Sequence, residues 1–315
     1  MRRATLGLIM AAWVGCGLEV VAADGNDVER ESIIGCWQAV DDTSQHLLCE
    51  PERVLFAGSE LGVRALPVAS FTGRQIRVPD LGQALPGGAS MPYTVEGDTL
   101  RIHVHPFLRP IEQPVVLQLV MKRITATPQS LTMQPLELGE VRKLPAVEAR
   151  AITRSLEQRM ERDQAARQSG AYGAEAIQAQ VDDERWLRDT ISAHGWIDVR
   201  RFGGDAAKAA FLIAQHSADM QLRLAAEQGL YRDLKAGQGV QGLYAWLRDR
   251  NGLYTTGRQR YGTHFRFTAE AVEILRLEDA DQVDRWRREI GMPALSRHEQ
   301  GLRGSYPQLE VRVQE

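Results

Sequence analysis

The sequence predicts an α+β protein: an N-terminal antiparallel β-barrel or curled sheet, followed by an all-α C-terminal domain. Three observations carry this prediction. Between residues 32 and 137, short runs alternate apolar and polar residues and are separated by turn chemistry, the period of half-buried strands. After Leu138 the apolar residues fall at helical intervals in stretches rich in Glu, Arg, Gln and Ala, the pattern of amphipathic helices. The 315 residues, 43% apolar and 25% charged, are enough for two cores of ordinary size.

The β part begins with the apolar run Ile33 to Val40, the turn residues Asp41-Asp42-Thr43-Ser44, and Leu47-Leu48. A turn centred on Asp42 and Thr43 sets Cys36 opposite Cys49 on neighbouring strands, and a disulfide between them is expected. A second hairpin runs through Tyr93-Thr94-Val95, Glu96-Gly97-Asp98 and Leu100 to Val104. A third joins Val115–Ile124 to Leu131-Thr132-Met133 around Pro128-Gln129. Prolines and glycines between 79 and 92 mark a long loop.

Ile34-Gly35-Cys36-Trp37 puts a Gly-x-Trp on the first strand. This resembles the start of lipocalin-like barrels, in which the Trp plugs one end. The hairpin Tyr93 to Leu100 resembles the middle of small bacterial lipocalin-like domains. The resemblance implies a lipocalin-like β domain over 32–137.

Among the helices, Ala146 to Gln168 carries Ile152, Leu156 and Met160 at helical spacing, and Gly170 to Gly173 interrupts it. Residues 138–174 read as a helical linker and 175–295 as the α-helical domain. Within that domain Glu175 to His194 is helical, and Asp205 caps a long helix to about Leu234. Val240–Arg250, Ala269–Leu277 and Asp281–Ile290 read as three more helices. Residues 296–315 show little pattern and read as a tail.

The N-terminus carries export chemistry. Arg2 and Arg3 precede an apolar run from Ala4 to Gly15, and Val21-Ala22-Ala23 offers small residues for a signal peptidase. Residues 1–23 therefore read as a signal peptide, giving a periplasmic or secreted protein that starts at Asp24. Val14-Gly15-Cys16 resembles a bacterial lipoprotein signal, the alternative in which Cys16 is lipidated and the protein sits in the outer membrane. Trp13 departs from that pattern. Membrane attachment is expected only through Cys16. A net charge of −3 gives no reason to expect nucleic acid.

One constellation could carry chemistry. On a continuous helix Gln215 and Asp219, and His216 and Asp219, would share a face. A carboxylate beside an imidazole is what a general base needs. Tyr244, Asp249 and Arg250, followed by Tyr261-Gly262-Thr263-His264, form a second group. Gly195-Trp196, Gln215-His216-Ser217, Asp249-Arg250, Tyr261-Gly262-Thr263 and Arg287 to Pro293 together resemble an uncharacterised bacterial domain family of unknown function. Its motifs are Gly-Trp-Pro, Gln-His-Ser-Asp, Asp-Arg and Tyr-Gly-Thr-Gln. Here Ile197 replaces the Pro, Ala218 takes the Asp position with Asp219 one place later, and His264 stands where Gln is usual.

Two function classes follow. In one, the protein is a cell-envelope module that binds a ligand or protein partner through Gln215, Trp196, Tyr244, Asp249, Arg250 and Thr263. In the other it is a hydrolase with His216, Asp219, Tyr261 and His264 in catalytic roles. No nucleophile motif, phosphate loop or metal signature is present in the sequence, so no cofactor or metal is expected and binding is favoured.

Overall fold

The computed structural model describes residues 33–314 except 42, 44, 59–61, 69, 73, 82–87, 105–116, 129–130 and 169–173. The signal segment, Cys16 and Gly170 to Gly173 lie outside the described residues. Among the described residues the β part is one nine-stranded antiparallel sheet. Its strands are β1 (Gly35–Ala39), β2 (His46–Glu50), β3 (Arg53–Gly58), β4 (Gly62–Pro67), β5 (Ser70–Thr72), β6 (Gln75–Val78), β7 (Ala89–Glu96), β8 (Thr99–Val104) and β9 (Leu117–Ile124). The order β4-β3-β2-β1-β9-β8-β7-β6-β5 leaves β4 and β5 as the two edges. Leu66 on one edge strand and Phe71 on the other share one core with Trp37, Met91 and Leu100, so the sheet curls into a nearly closed barrel.

Trp37 is fully buried in that core. Its indole N–H donates to Ile33 O at 2.9 Å. The Arg123 guanidinium lies 4.1 Å from the ring centroid and donates to Ile34 O at 3.0 Å. Gly35 has φ +137°, and a Cβ there would meet Arg123 Nη1 at 2.7 Å. Only glycine lets the arginine close over the tryptophan.

The expected disulfide is corrected. Cys36 pairs with Leu48, and Cys49 with Gly35, one residue away from the expected register. A one-residue offset turns side chains to opposite faces of a strand. Cys49 accordingly joins the barrel core while Cys36 packs on the outer face, and both are free thiols. Burial raises both thiol pKa values, Cys49 most. Reduction of the native protein should therefore leave its mass unchanged, with both cysteines alkylated quickly only in denaturant. A gain of two hydrogens on reduction would restore the disulfide.

The C-terminal part is helical: α1 (Ala146–Gln168), α2 (Ala174–His194), α3 (Val199–Phe202), α4 (Gly204–His216), α5 (Met220–Lys235), α6 (Gln241–Thr256), α7 (Val283–Glu289) and α8 (Leu295–Ser305). Ile152 and Leu156 of α1, Leu187 and Ile191 of α2, and Ala210 and Ala214 of α4 belong to one core. Two expectations change. The single helix from Asp205 is two helices, because Ser217 caps α4 and Asp219 starts α5. The all-α domain also contains a sheet of β10 (Phe265–Phe267), β11 (Ala271–Ile274) and β12 (Glu310–Val313), with β11 central and parallel to β12. The stretch read as a helix at 269–277 is thus a strand, and the tail is α8 and β12. All four residues of β11 are buried, and so short an apolar run has no period to separate strand from helix. The Leu131–Met133 segment forms no strand.

The outer face of β4 is covered: α5 and α6 pack on it, with Val63 and Ala65 against Met220 and Leu224.

Candidate functional site

The break after His216 decides what that imidazole touches. α4 ends there, and the chain turns through 217–219 into α5. Asp219 is committed locally: its Oδ1 accepts the Gln221 N–H at 3.0 Å, as an N-cap does. Its Oδ2 pairs with Arg188 of α2. The carboxylate at His216 is instead Asp163 of α1, whose Oδ2 lies 3.0 Å from Nδ1. With the Gln215 amide turned to match its neighbours, its nitrogen donates to His216 Nε2 at 2.9 Å. Its oxygen accepts from Trp246 Nε1 at 3.3 Å and Arg250 Nη1 at 3.1 Å. An accepting Nε2 assigns the ring proton to Nδ1, facing Asp163. The pair has the carboxylate–imidazole form of a general base, but Gln215 occupies the nitrogen that would take a proton.

The same network reaches the second motif group. Trp246 packs at a tilt of 45° against His264, ring centroids 4.6 Å apart. His264 is fully buried, and Thr263 Oγ1 is 3.0 Å from its Nδ1. Burial, reinforced by the Arg250 charge, pushes the His264 pKa down to about 3, so the ring is neutral at physiological pH. Gln259 holds its backbone: Oε1 accepts the His264 N–H at 2.8 Å, and Nε2 donates to His264 O and Leu275 O, both at 2.8 Å.

Asp249 is a clamp. Its Oδ1 accepts the N–H groups of Arg260 and Tyr261, both at 2.7 Å. Oδ2 accepts Thr263 N–H at 2.9 Å and Thr263 Oγ1 at 2.8 Å. Burial pushes this carboxyl up to about 6, against the pull of those donors. Tyr244 and Tyr261 meet edge to face with centroids 6.0 Å apart. Burial raises both phenols, which stay protonated.

Trp196 belongs elsewhere. It lies in the helical core, and a Cβ on Gly229 would sit 2.2 Å from its ring, so α5 needs glycine there. Trp196 also borders an open groove of about 700 Å³ lined by Arg142, Lys143, Arg200, Arg201, Arg232, Asp198 and Asp233 among others. Arg201 braces the groove by pairing with Asp198 and donating to His194 O at 2.7 Å and Trp196 O. Burial, and after it the nearby Asp198 charge, push the Asp233 carboxyl up to about 6, while Arg201 and Trp196 pull it down.

The structure thus gathers Gln215, His216, Arg250, Thr263 and His264, while Asp219 is engaged by Arg188 and the start of α5 and Trp196 borders the groove. Asp163, Gln259 and the groove cations were not legible as site residues. Their partners are tertiary, and no local spacing marks them.

The fold and site define a barrel-like β part joined to a helical part that carries a buried polar network. The second of these has relatives: residues 156–312 match the model of a family of unknown function, DUF6624. The match runs from within α1 to β12 and takes in every residue of the His216 network. No curated protein and no solved structure matches the chain.

Proposed function

We propose that the protein is an exported binding module of the cell envelope that takes an anionic ligand in the groove over Trp196. The observation that carries this reading is the groove itself. Its volume of about 700 Å³ is that of small-ligand sites. Five cationic side chains line it against two carboxylates, Asp198 and Asp233. A carboxylate- or phosphate-bearing ligand matches that balance. The Asp163–His216 pair favours a second reading, hydrolysis, but the hydrogen bond from Gln215 to Nε2 opposes it.

The test is titration with soluble peptidoglycan fragments, whose peptides carry carboxylates. Binding should weaken as salt rises, and Arg232→Ala should lower affinity about 5-fold or more. The sign of the pH dependence follows from Asp233. Above about pH 6 it is ionised and repels an anion; below, it is neutral. Affinity should therefore rise about 3- to 10-fold from pH 7.5 to pH 5, and Asp233→Asn should flatten that profile at its tighter end. An affinity indifferent to both substitutions would remove the groove from consideration. Turnover of the fragments, lost in His216→Ala, would establish the hydrolase instead.

A further inference from the structure

A second set of charges lies where the barrel meets the helices. Arg64 comes from β4, Arg223 from the first turn of α5 and Arg250 from α6. They converge on Tyr254: the Arg223 and Arg250 guanidinium carbons are 4.3 Å and 5.7 Å from its ring centroid, and Arg64 is near enough to interact with it. Arg223 is 1% exposed. One of its nitrogens faces the Met220 sulfur, a weak acceptor. Its Nε and Nη1 have no acceptor, and neither do Arg64 Nε and Arg250 Nε. Four buried guanidinium nitrogens on three side chains are therefore unsatisfied, each a substantial desolvation cost.

The nearby acids do not answer them. Asp219 is spent on Arg188 and on capping α5. Glu184 accepts from Gln180 at 2.9 Å. Four guanidiniums, of Arg64, Arg188, Arg223 and Arg250, stand against these two carboxylates. Burial lowers the Arg223 pKa to about 10, and the Arg250 charge adds to the shift. A water bridging Arg223 to Asn251 Oδ1, itself without a donor, would fill hydrogen bonds but supply no charge.

We propose that this junction is a buried site for a small oxyanion, a phosphate or carboxylate group, held by the guanidiniums of Arg64, Arg223 and Arg250. Planar guanidiniums match such oxygens in pairs, and the oxyanion supplies both the missing acceptors and the missing charge. The small cavity beside Arg64, about 10 Å³, is otherwise lined by apolar barrel residues such as Phe56, Leu66 and Met91 and by neither Arg223 nor Arg250, so it is not the seat. The anion seats among the guanidiniums as the long arginine side chains move apart. This site is separate from the groove over Trp196 and does not depend on it.

Thermal melting of the full chain tests this in chloride, phosphate or acetate at matched ionic strength. We expect about 50 mM phosphate or acetate to raise the wild-type Tm by about 4 °C or more over chloride. Arg223→Met removes an unpaired buried charge, so it should melt no lower than wild type in chloride and gain under about 1 °C from the oxyanion. Arg232→Ala, in the groove, should keep the full rise. If Arg223→Met fails to fold, Arg64→Met gives the same readout from the barrel side. A rise with one anion alone assigns the site to that class. An equal rise in the arginine variants, which marks general salt stabilisation, or no rise with either anion, overturns the proposal.

Discussion

Asp249→Ala is expected to cost about 4 kcal/mol or more and to release the segment that carries Tyr261, Thr263 and His264. The carboxylate is fully buried, and four donors converge on its two oxygens. Alanine leaves three backbone N–H groups without an acceptor, each costing about 1–3 kcal/mol where buried. Asp249→Asn is a sharper probe. Its amide keeps one acceptor oxygen but turns an NH₂ toward two donors, so it should recover less than half of the loss. Urea denaturation with an unchanged m-value reads both numbers. A loss below about 1 kcal/mol for alanine would mean that water or a backbone carbonyl replaces the clamp. Because Trp246 rests on His264, the same variant should also disturb Trp246 fluorescence at denaturant concentrations where the barrel stays folded.

Trp37→Ala should destabilise the barrel by about 3–5 kcal/mol, the usual range for deleting a buried aromatic. The residue is among the largest fully buried side chains of the described structure. Its loss opens a cavity, leaves Ile33 O without its donor and strips Arg123 of the ring beneath it. Trp37→Phe keeps most of the volume and loses the indole N–H, so it should cost about 1–2 kcal/mol. Chemical denaturation of both variants separates packing from hydrogen bonding. If alanine cost less than about 1 kcal/mol, Trp37 would not be a main support of the barrel core.

The sequence was legible where a pattern repeated on one face. β1, β2, β8, β9 and the second half of β7 fall on the marked runs, while β7 begins at Ala89, inside the stretch expected as a long loop; α1 and α2 end within a residue or two of the helical periodicity. β3 and β4 were missed for a physical reason. Val54 and Phe56 face the barrel core while Leu55 and Ala57 face α5 and α6. A strand covered on both sides reads as a continuous apolar run. The break at 217–219 is readable in principle, since Asp219 has N-cap chemistry, which competes with the site role its spacing from His216 suggests. The motif residues Gln215, His216, Arg250 and His264 do meet, but the chemistry of their meeting depends on Asp163 and on the turn of one amide. Neither can be seen before the helices are placed.

The order of elements along the chain also bears on how the molecule is made. All nine barrel strands lie before residue 125, but the helices that cover the outer face of β4 come after residue 219. β11 waits through residues 275–309 for its parallel partner β12, a long closure that slows folding. During vectorial synthesis the barrel strands are complete while Val63 and Ala65 on the outer face of β4 still lack the helices that cover them. That interval exposes apolar surface of the nascent chain to aggregation.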